Sequence, residues 1–259
     1  MAQRINPHTA VPQLVAHRGF SARYPENTLL SIEQAFRAGA CYVECDVQLT
    51  RDGVPVLFHD SELQRVCGVP GNITDMSRAQ LDAISAHYAP RFGAQHGGVP
   101  IPSLSELLAL MKRWPRRQVF VEIKRASIRR FGAERVFNTI VDRVSAVSDQ
   151  VIIISFDFDI MQRVKAHTGL RSGWVIDHWN TENLTRAAQL APDYMFVDHE
   201  CIPDTLSMLP EANWRWAVYE MDDPATAKKW IAKGATFIET NDIGGLLAAP
   251  DFQKSRCDG

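Results

Sequence analysis

The sequence predicts an α/β protein, a (β/α)8 TIM barrel, and three observations lead to this class. Short runs of β-branched and aromatic residues alternate with longer amphipathic stretches, which is typical of repeated βα units. Eight such runs can be counted along the chain. The 259 residues also match the roughly 250 that a closed barrel of this type uses. An open doubly wound sheet is the alternative for repeated βα units, and the count of eight favours the barrel.

Each predicted strand is a short apolar run, and each predicted helix is a stretch with apolar residues at three- and four-residue steps. The strands are expected at Gln13–Ala16, Tyr42–Leu49, Gln118–Lys124, Gln150–Ser155, Ser172–Asp177, Tyr194–Asp198, Arg215–Glu220 and Thr236–Thr240. The helices are expected at Leu29–Ala38, Leu104–Arg113, Ala133–Val147, Asp157–His167, Glu182–Leu190 and Ala225–Lys233. Because helices follow most of the strands, neighbouring strands are expected to pair in parallel.

One segment, Arg51–Val99, interrupts the alternation between the second and third strands. It opens with Asp52-Gly53 and the apolar run Val54–Phe58, a pattern typical of a hairpin, and continues through glycine- and proline-containing sequence. A loop of this length is usually functional or a small cap. We therefore expect a small insertion within a single domain of residues 1–259.

The 28 lysines and arginines nearly balance the 30 aspartates and glutamates, which leaves a net charge of −2. This balance gives no electrostatic reason to expect nucleic acid or an acidic membrane as a partner. No stretch approaches the roughly 18 apolar residues of a membrane span, and residues 1–13 lack the apolar core of a signal peptide. We expect no stable membrane anchor and a cytoplasmic location, and the oligomeric state stays open.

The five cysteines are scattered and include no Cys-x-x-Cys pair. Neither a zinc site nor a disulfide framework is expected from this pattern. In a reducing cytoplasm Cys41 and Cys45 are expected to be small packing residues.

Chemically active side chains gather where the first three predicted strands end. His17 and Arg18 follow the first strand, and His59 follows the hairpin. The second strand carries Glu44 and Asp46, and the third carries Glu122 and Lys124. Since residues two apart on a strand share a face, each of these pairs is expected to project inward together. Three buried carboxylates require a partner, and a divalent cation held by the oxygens of Glu44, Asp46 and Glu122 supplies one.

The remaining residues of this group suit a phosphate. Arg18 offers a planar fork of donors and Lys124 a compact positive charge. Two histidines, His17 and His59, can divide proton transfer as base and acid. The combination indicates phosphodiester cleavage, because a metal polarises the phosphoryl group while the cations stabilise its charge. The sequence contains no nucleophile elbow, Walker loop or His-Glu-x-x-His helix.

At this point the sequence resembles the glycerophosphodiester phosphodiesterase family. The motifs that carry the resemblance are Val15-Ala16-His17-Arg18-Gly19, Pro25-Glu26-Asn27-Thr28, Glu44-Cys45-Asp46-Val47, Asp52-Gly53, His59-Asp60, Ile101-Pro102-Ser103-Leu104 and Glu122-Ile123-Lys124. They cover the first half densely, and the similarity continues more loosely through Ser155-Phe156-Asp157 to the last strand.

The resemblance implies a metal-dependent hydrolase of glycerophosphodiesters that releases glycerol 3-phosphate and an alcohol. It implies that Glu44, Asp46 and Glu122 bind one divalent cation, Mg²⁺ or Ca²⁺. His17 and His59 match the family's acid/base pair, and Arg18 and Lys124 match its phosphate contacts. Neither the preferred alcohol nor the attacking group, a glycerol hydroxyl or water, follows from the sequence.

Other residues have local interpretations. Asn27 or Thr28 is expected to cap the helix at Leu29, Glu26 is assigned a structural role, and Asp60 is expected to orient the His59 loop. Trp216, in a strand that departs from the family pattern, is a candidate to line the pocket near the glycerol, and core packing is its alternative. Glu239-Thr240-Asn241 departs from the pattern at the last strand, with no role assigned.

Two further functions stay open. A lysophospholipase-D-like enzyme would share the first-half residues but needs an apolar groove in the insertion, which contains Leu63, Val66, Ile73, Leu81 and Ile84. A non-catalytic barrel that binds phosphorylated metabolites would keep Arg18 and Lys124 without needing both histidines.

Overall fold

Eight parallel strands close into a barrel in the computed structural model, which describes residues 11–257. The strands are β1 Gln13–Ala16, β2 Tyr42–Leu49, β3 Pro55–Leu57, β4 Gln118–Ile123, β5 Val151–Ser155, β6 Arg171–Ile176, β7 Tyr194–Asp198, β8 Arg215–Tyr219 and β9 Phe237–Thr240. The barrel order is β1-β9-β8-β7-β6-β5-β4-β2, and the pairing of β1 with β2 closes it. The predicted (β/α)8 TIM barrel is confirmed.

Helices cover the outside of the barrel. They are α1 Leu29–Ala38, α2 Gln64–Cys67, α3 Arg78–Leu81, α4 Ala89–Phe92, α5 Leu104–Lys112, α6 Arg125–Phe131, α7 Ala133–Val144, α8 Phe158–His167, α9 Thr181–Leu190, α10 Pro224–Ala232 and α11 Ile243–Ala248. Short 3₁₀ turns add Ile73–Asp75, Ser145–Val147, His199–Cys201 and Pro250–Ser255. The predicted barrel strands agree with the structure within one residue at each end. The predicted helices do so too, except the one beginning at Ala133, which ends at Val144 and not at Val147.

The alternation of side chains along each strand sorts the core into two layers. Val43, Cys45 and Val47 of β2 point outward, into the large cluster between barrel and helices. The barrel interior is filled by a separate group that includes Val15, Phe120, Ile152, Val175, Tyr194, Phe196, Ala217 and Phe237. Two residues beyond Val15, Phe120 and Phe237 the next inward positions are His17 after β1, Glu122 on β4 and Glu239 on β9, respectively. The polar residues therefore lie above the apolar interior, at the carboxyl ends of the strands, where barrels of this type have their active sites.

The insertion begins with an antiparallel hairpin. β3 pairs with the end of β2, with Val47 opposite Leu57, and the turn between them is closed by a bond from the Gly53 N–H to the Thr50 carbonyl at 2.9 Å. The short helices α2, α3 and α4 follow and enclose their own apolar cluster. After the hairpin the chain returns to the carboxyl ends of the barrel strands, and His59 lies there.

One disulfide contradicts the expectation drawn from the cysteine pattern. Cys41 and Cys257 are bonded, with their Cα atoms 5.0 Å apart, and tie the start of β2 to the C-terminal segment. The spacing of cysteines along the chain carries no information about two residues 216 positions apart that barrel closure brings together. Cys45 is a free, buried packing residue as predicted. The pairing weighs against the reducing compartment assumed for Cys41, and the cytoplasmic location stays a prediction.

Among residues 11–257, no helix combines the length and apolar character needed to cross a membrane.

Candidate active site

A cavity of about 160 Å³ opens at the carboxyl ends of the barrel strands. It brings together seven of the predicted site residues, His17, Arg18, Glu44, Asp46, His59, Glu122 and Lys124. They come from β2, β4, the ends of β1 and β4, and the hairpin of the insertion. Tyr219, Glu220 and Glu239 complete the polar part of the lining.

Three carboxylates form the floor of this cavity. Glu44, Asp46 and Glu122 are all buried, and each offers an oxygen within 4.8 Å of those of the other two. The Lys124 Nζ lies 3.0 Å from an oxygen of Asp46 and 3.0 Å from one of Glu122. Among residues 11–257, no lysine or arginine side chain pairs with Glu44 in this way, and Glu44 accepts a hydrogen bond from the Arg18 backbone N–H at 3.1 Å.

Burial and mutual repulsion act differently on the three acids. Burial, reinforced by the charges of Asp46, Glu239 and Glu122, raises the pKa of Glu44 well above its usual value. Burial also raises the pKa of Glu122, although Lys124 partly offsets it. For Asp46 the effect of burial is outweighed by the charges of Lys124 and Arg18, which hold the pKa below its usual range. The cluster is therefore short of positive charge chiefly at Glu44.

This donor set fits a hard divalent cation. All three ligand atoms are carboxylate oxygens, the kind that Mg²⁺ and Ca²⁺ prefer, and their spacing allows one ion to contact all of them. A cation would also supply the positive charge that Glu44 lacks. The described residues can therefore hold a metal here, and which ion they hold does not follow from the geometry.

His17 is buried and held in one orientation. Its Nδ1 lies 3.1 Å from the Asn241 Oδ1, while the Asn241 Nδ2 donates to Glu220 at 3.0 Å. The amide is thus placed with its oxygen towards the ring, so Nδ1 carries the proton and Nε2 keeps its lone pair. Burial, together with the neighbouring Arg18 charge, lowers the pKa of His17 to about 4. At neutral pH the ring is therefore an uncharged imidazole with Nε2 free to accept a proton.

His59 is more exposed and is positioned by its own loop. Its Nδ1 lies 2.7 Å from the Asp60 Oδ1, and Arg65 binds the same carboxylate through Nε at 2.6 Å. Burial would raise the pKa of Asp60, but the hydrogen bonds from His59 and Arg65 outweigh it and keep the pKa below its usual range. The inward Gln48 amide donates to the Phe58, His59 and Asp60 carbonyls at 2.6–3.1 Å. Asp60 orients His59, in line with its expected role.

Arg18 lies in a tight turn in which the next residue, Gly19, has to be glycine. Gly19 has a φ of +81°, and a Cβ there would lie 2.6 Å from the Ser31 carbonyl carbon. The Arg18 guanidinium lies 3.0 Å from Glu26 and 3.4 Å from Asp46. Glu26 also binds both terminal nitrogens of Arg65 at 2.7 Å, so it has the structural role assigned to it. This arrangement fixes Arg18 beside the acidic cluster.

The structure separates two residues that the sequence treated as alternatives. Thr28 caps α1, accepting from the Ser31 N–H at 3.1 Å. Asn27 instead reaches the site: its Nδ2 donates to the Asp46 Oδ2 at 2.7 Å, and its Oδ1 accepts from the Asp46 N–H at 2.9 Å. Asn27 was missed as a site residue because its partner lies 19 positions away on another strand.

We expect Asn27→Gly to lower the affinity for divalent metal by about 10–100-fold, the usual effect of losing a group that orients a ligand. Glycine suits the φ of +56° at this position, so the change removes the amide with little added backbone strain. Calorimetric titration with Mg²⁺ measures the effect. Asn72→Gly is the control, because Asn72 makes no side-chain capping bond. Equal metal affinity in the two variants would remove Asn27 from the site.

Trp216 is placed away from the other predicted residues. Its ring packs in the outer core against Trp179 and Trp214, and its Nε1 donates to the Pro210 carbonyl at 2.9 Å. Along β8 the inward residues are Ala217 and Tyr219, so Trp216 has the opposite parity. The suggested contact with the glycerol moiety does not agree with this placement, and the packing alternative does.

A larger cavity of about 380 Å³ adjoins the site, and Phe156 and Val175 line both. Its other lining residues include Asp157, Asp159, Asp177, Asn180, Glu182, Arg125 and Arg186. Leu63, Val66, Ile73 and Leu81 of the insertion are buried in the cluster under its short helices, and Ile84 packs against them. The apolar groove required for a lysophospholipid is therefore not formed by these residues.

The fold and the site together define a (β/α)8 barrel whose cavity, at the carboxyl ends of the strands, combines a cluster of carboxylates with an arginine and a lysine that can bind phosphate. A sequence profile of the Glycerophosphoryl diester phosphodiesterase family matches residues 17–244. The chain belongs to this family.

Individual relatives agree with the family match. A glycerophosphodiester phosphodiesterase of Bacillus altitudinis is 33% identical over 144 residues, which is 56% of this chain and 58% of that protein. One of Caldanaerobacter subterraneus is 28% identical over 246 residues, 90% of this chain and 96% of that protein. The chain thus matches less than two thirds of the length of the first relative and nearly all of the second.

Solved structures show the same fold. A phosphodiesterase of Oleispira antarctica, in complex with the product sn-glycerol-3-phosphate, superposes with a TM-score of 0.80 at 22% identity and covers 95% of this chain and 99% of its own. The glycerophosphodiester phosphodiesterase of Thermotoga maritima superposes with a TM-score of 0.71 at 25% identity, over 93% and 99% of the two chains.

Proposed function

We propose that this chain hydrolyses glycerophosphodiesters to glycerol 3-phosphate and an alcohol, with His17 and His59 as the acid/base pair. One observation carries the proposal: a single cavity holds two oriented imidazoles, a cluster of three carboxylates, and an arginine–lysine pair. Family membership and the glycerol 3-phosphate bound to the Oleispira antarctica protein support the same substrate class.

Glu44, Asp46 and Glu122 would hold the divalent cation, Mg²⁺ or Ca²⁺. When bound there, the cation polarises the phosphoryl group and offsets its negative charge. Arg18 and Lys124 bind the non-bridging phosphoryl oxygens, and the carboxylates that flank them keep both cations in position without the substrate.

His17 is the base in this proposal, because its Nε2 is unprotonated and its ring is uncharged at neutral pH. It takes the proton from the attacking hydroxyl group, which belongs to water or to the glycerol itself; in the second case the alcohol leaves a cyclic glycerol phosphate, which water then opens to glycerol 3-phosphate. His59 is then the acid: Asp60 holds its Nδ1, so Nε2 is the nitrogen that delivers a proton to the leaving alcohol oxygen. Asn241 and Asp60 are the orienting partners of the two rings.

The leaving alcohol would extend towards the larger neighbouring cavity. Its charged and amide side chains suit a small polar head group, and its apolar lining residues are Phe156, Phe158, Trp174, Val175 and Ile176. A lysophospholipid carries its acyl chain on the glycerol, and the apolar residues of the insertion are buried in their own cluster and form no groove for that chain. We therefore favour glycerophosphodiesters over lysophospholipids.

The substrate class is tested by comparing glycerophosphoethanolamine, glycerophosphocholine and lysophosphatidylcholine as substrates of the purified protein. We expect release of glycerol 3-phosphate from the first two with kcat/KM at least about 100-fold above lysophosphatidic acid release from the third, since the cavity of about 160 Å³ is too small to enclose an acyl chain carried on the glycerol. The His17→Ala variant measures background from contaminating enzymes. Preference for the lysophospholipid would overturn the substrate class, and no turnover of any of them would favour a non-catalytic barrel.

A further inference from the structure

Glu239 is a buried carboxylate that no step of the proposed reaction uses. It lies at the inward position of β9 two residues beyond Phe237, and its side chain is 3% exposed. Its Oε1 has no hydrogen-bond partner among residues 11–257. Leaving a buried carboxylate oxygen unpaired is costly unless a cation, a ligand or a proton satisfies it.

The neighbours of Glu239 are suited to hold a cation with it. His17, Glu44 and Glu239 each offer a ligand atom within 4.8 Å of the other two. The His17 Nε2 carries a free lone pair and lies 3.9 Å from the Glu44 Oε2. Its other nitrogen is bound to the Asn241 Oδ1, and metal-binding histidines usually have their second nitrogen anchored in this way.

The charge of the cavity also leaves room for a second cation. Five carboxylates line it, against the two cationic side chains Arg18 and Lys124. With all five carboxylates ionised, one divalent cation at Glu44, Asp46 and Glu122 would leave one negative charge unbalanced, and an anionic phosphodiester would increase the excess. A second divalent ion would correct the imbalance.

We propose that Glu239 completes a second metal site with His17 and Glu44, and that this site takes a transition metal such as Zn²⁺. One imidazole and two carboxylates form a donor set that Zn²⁺ favours, whereas the all-oxygen cluster suits Mg²⁺ or Ca²⁺. Glu44 is common to both sites, so the two ions would be bridged. Because the site takes the Nε2 of His17, its occupation inhibits hydrolysis; this consequence alone rests on the proposed function.

The site is tested by dialysing the protein against buffered Zn²⁺ in saturating Mg²⁺ and measuring both metals by mass spectrometry. We expect the wild type to take up one zinc per chain with its magnesium retained. Glu239→Gln, which keeps the size of the side chain, should weaken zinc binding by about tenfold or more, as expected for loss of a ligand. Retained magnesium binding in this variant shows that the cluster is still folded.

Glu182→Gln is the matched control. Glu182 is exposed in the neighbouring cavity, so the change removes one negative charge near the site but none of the three ligands, and zinc binding should stay close to that of the wild type. The proposal is overturned if the wild type takes up no zinc, if zinc merely replaces the magnesium, or if Glu239→Gln binds zinc as tightly as the wild type.

Inhibition provides the second readout. The zinc concentration that halves glycerol 3-phosphate release should rise by the same factor of about ten in Glu239→Gln as its zinc affinity falls. An unchanged inhibition profile would overturn the inhibitory role. If no glycerophosphodiester is hydrolysed at all, the proposed function fails while the metal count still decides whether the second site exists.

Discussion

Replacing His17 with alanine is expected to lower kcat for glycerophosphodiester hydrolysis by about 10²–10⁴-fold, the range typical of a lost acid/base group. The ring is buried, oriented by Asn241 and uncharged at neutral pH, and it offers a free Nε2 to the cavity. Single-turnover measurement of glycerol 3-phosphate release gives the rate of the chemical step. Since alanine removes only a side chain at the cavity wall, circular dichroism should show the fold intact.

His167→Ala is the matched control for this change. His167 is exposed at the carboxyl end of α8, which in a (β/α)8 barrel lies at the face opposite the site. We expect its rate to equal that of the wild type. A His17→Ala enzyme that retained normal kcat would show that another group takes the proton, and the assignment of the base would be wrong.

Replacing Glu44 with glutamine is expected to weaken binding of the divalent cation by about 100-fold or more, because loss of a ligand should exceed the 10–100-fold effect of losing an orienting group. Glutamine keeps an oxygen that can still accept the Arg18 N–H, so the turn after β1 is preserved. Calorimetry with Mg²⁺ and Ca²⁺ measures affinity directly. Turnover at limiting metal should fall in parallel and recover partly at high metal concentration.

Glu33→Gln is the comparison, since Glu33 lies on α1 and pairs with Arg37 and Arg113 outside the cavity. It should bind metal as the wild type does. Metal affinity unaffected by Glu44→Gln would place the cation elsewhere and remove the acidic cluster from the account.

The strand periodicity explains why much of the site could be predicted. Glu44 and Asp46 alternate with the outward residues Val43, Cys45 and Val47, so their shared inward face follows from the period of two. The same rule places Glu122 in the barrel.

The same rule would have placed Trp216 outside the pocket and Tyr219 and Glu239 inside the barrel. Trp216 has the outward parity, and Tyr219 the inward one. Glu239 occupies the inward end of the last strand as Glu122 does on β4. Glu239 is the one carboxylate in its strand, however, and a single carboxylate in a strand does not indicate which residues of other strands it contacts.

Other features depend on contacts that sequence spacing cannot reveal. Asn27 meets Asp46 across 19 positions because β1 and β2 are neighbours, and Asn241 meets His17 across 224 because the first and last strands of the barrel are neighbours. The bond between Cys41 and Cys257 arises from the same closure. The short helices of the insertion were not predicted, because four-residue helices are too short to show a helical period.

Metal-dependent hydrolysis of glycerophosphodiesters at this cavity is tested by removing metal from one sample of the protein and then restoring it. The protein is treated with EDTA, dialysed, and assayed for glycerol 3-phosphate release from glycerophosphoethanolamine before and after Mg²⁺ or Ca²⁺ is returned. We expect release to stop after EDTA and to return with one of the two ions, because Glu44, Asp46 and Glu122 cannot all be balanced by Lys124 and Arg18 alone. Release that continues undiminished in EDTA would show that hydrolysis does not depend on a metal at Glu44, Asp46 and Glu122.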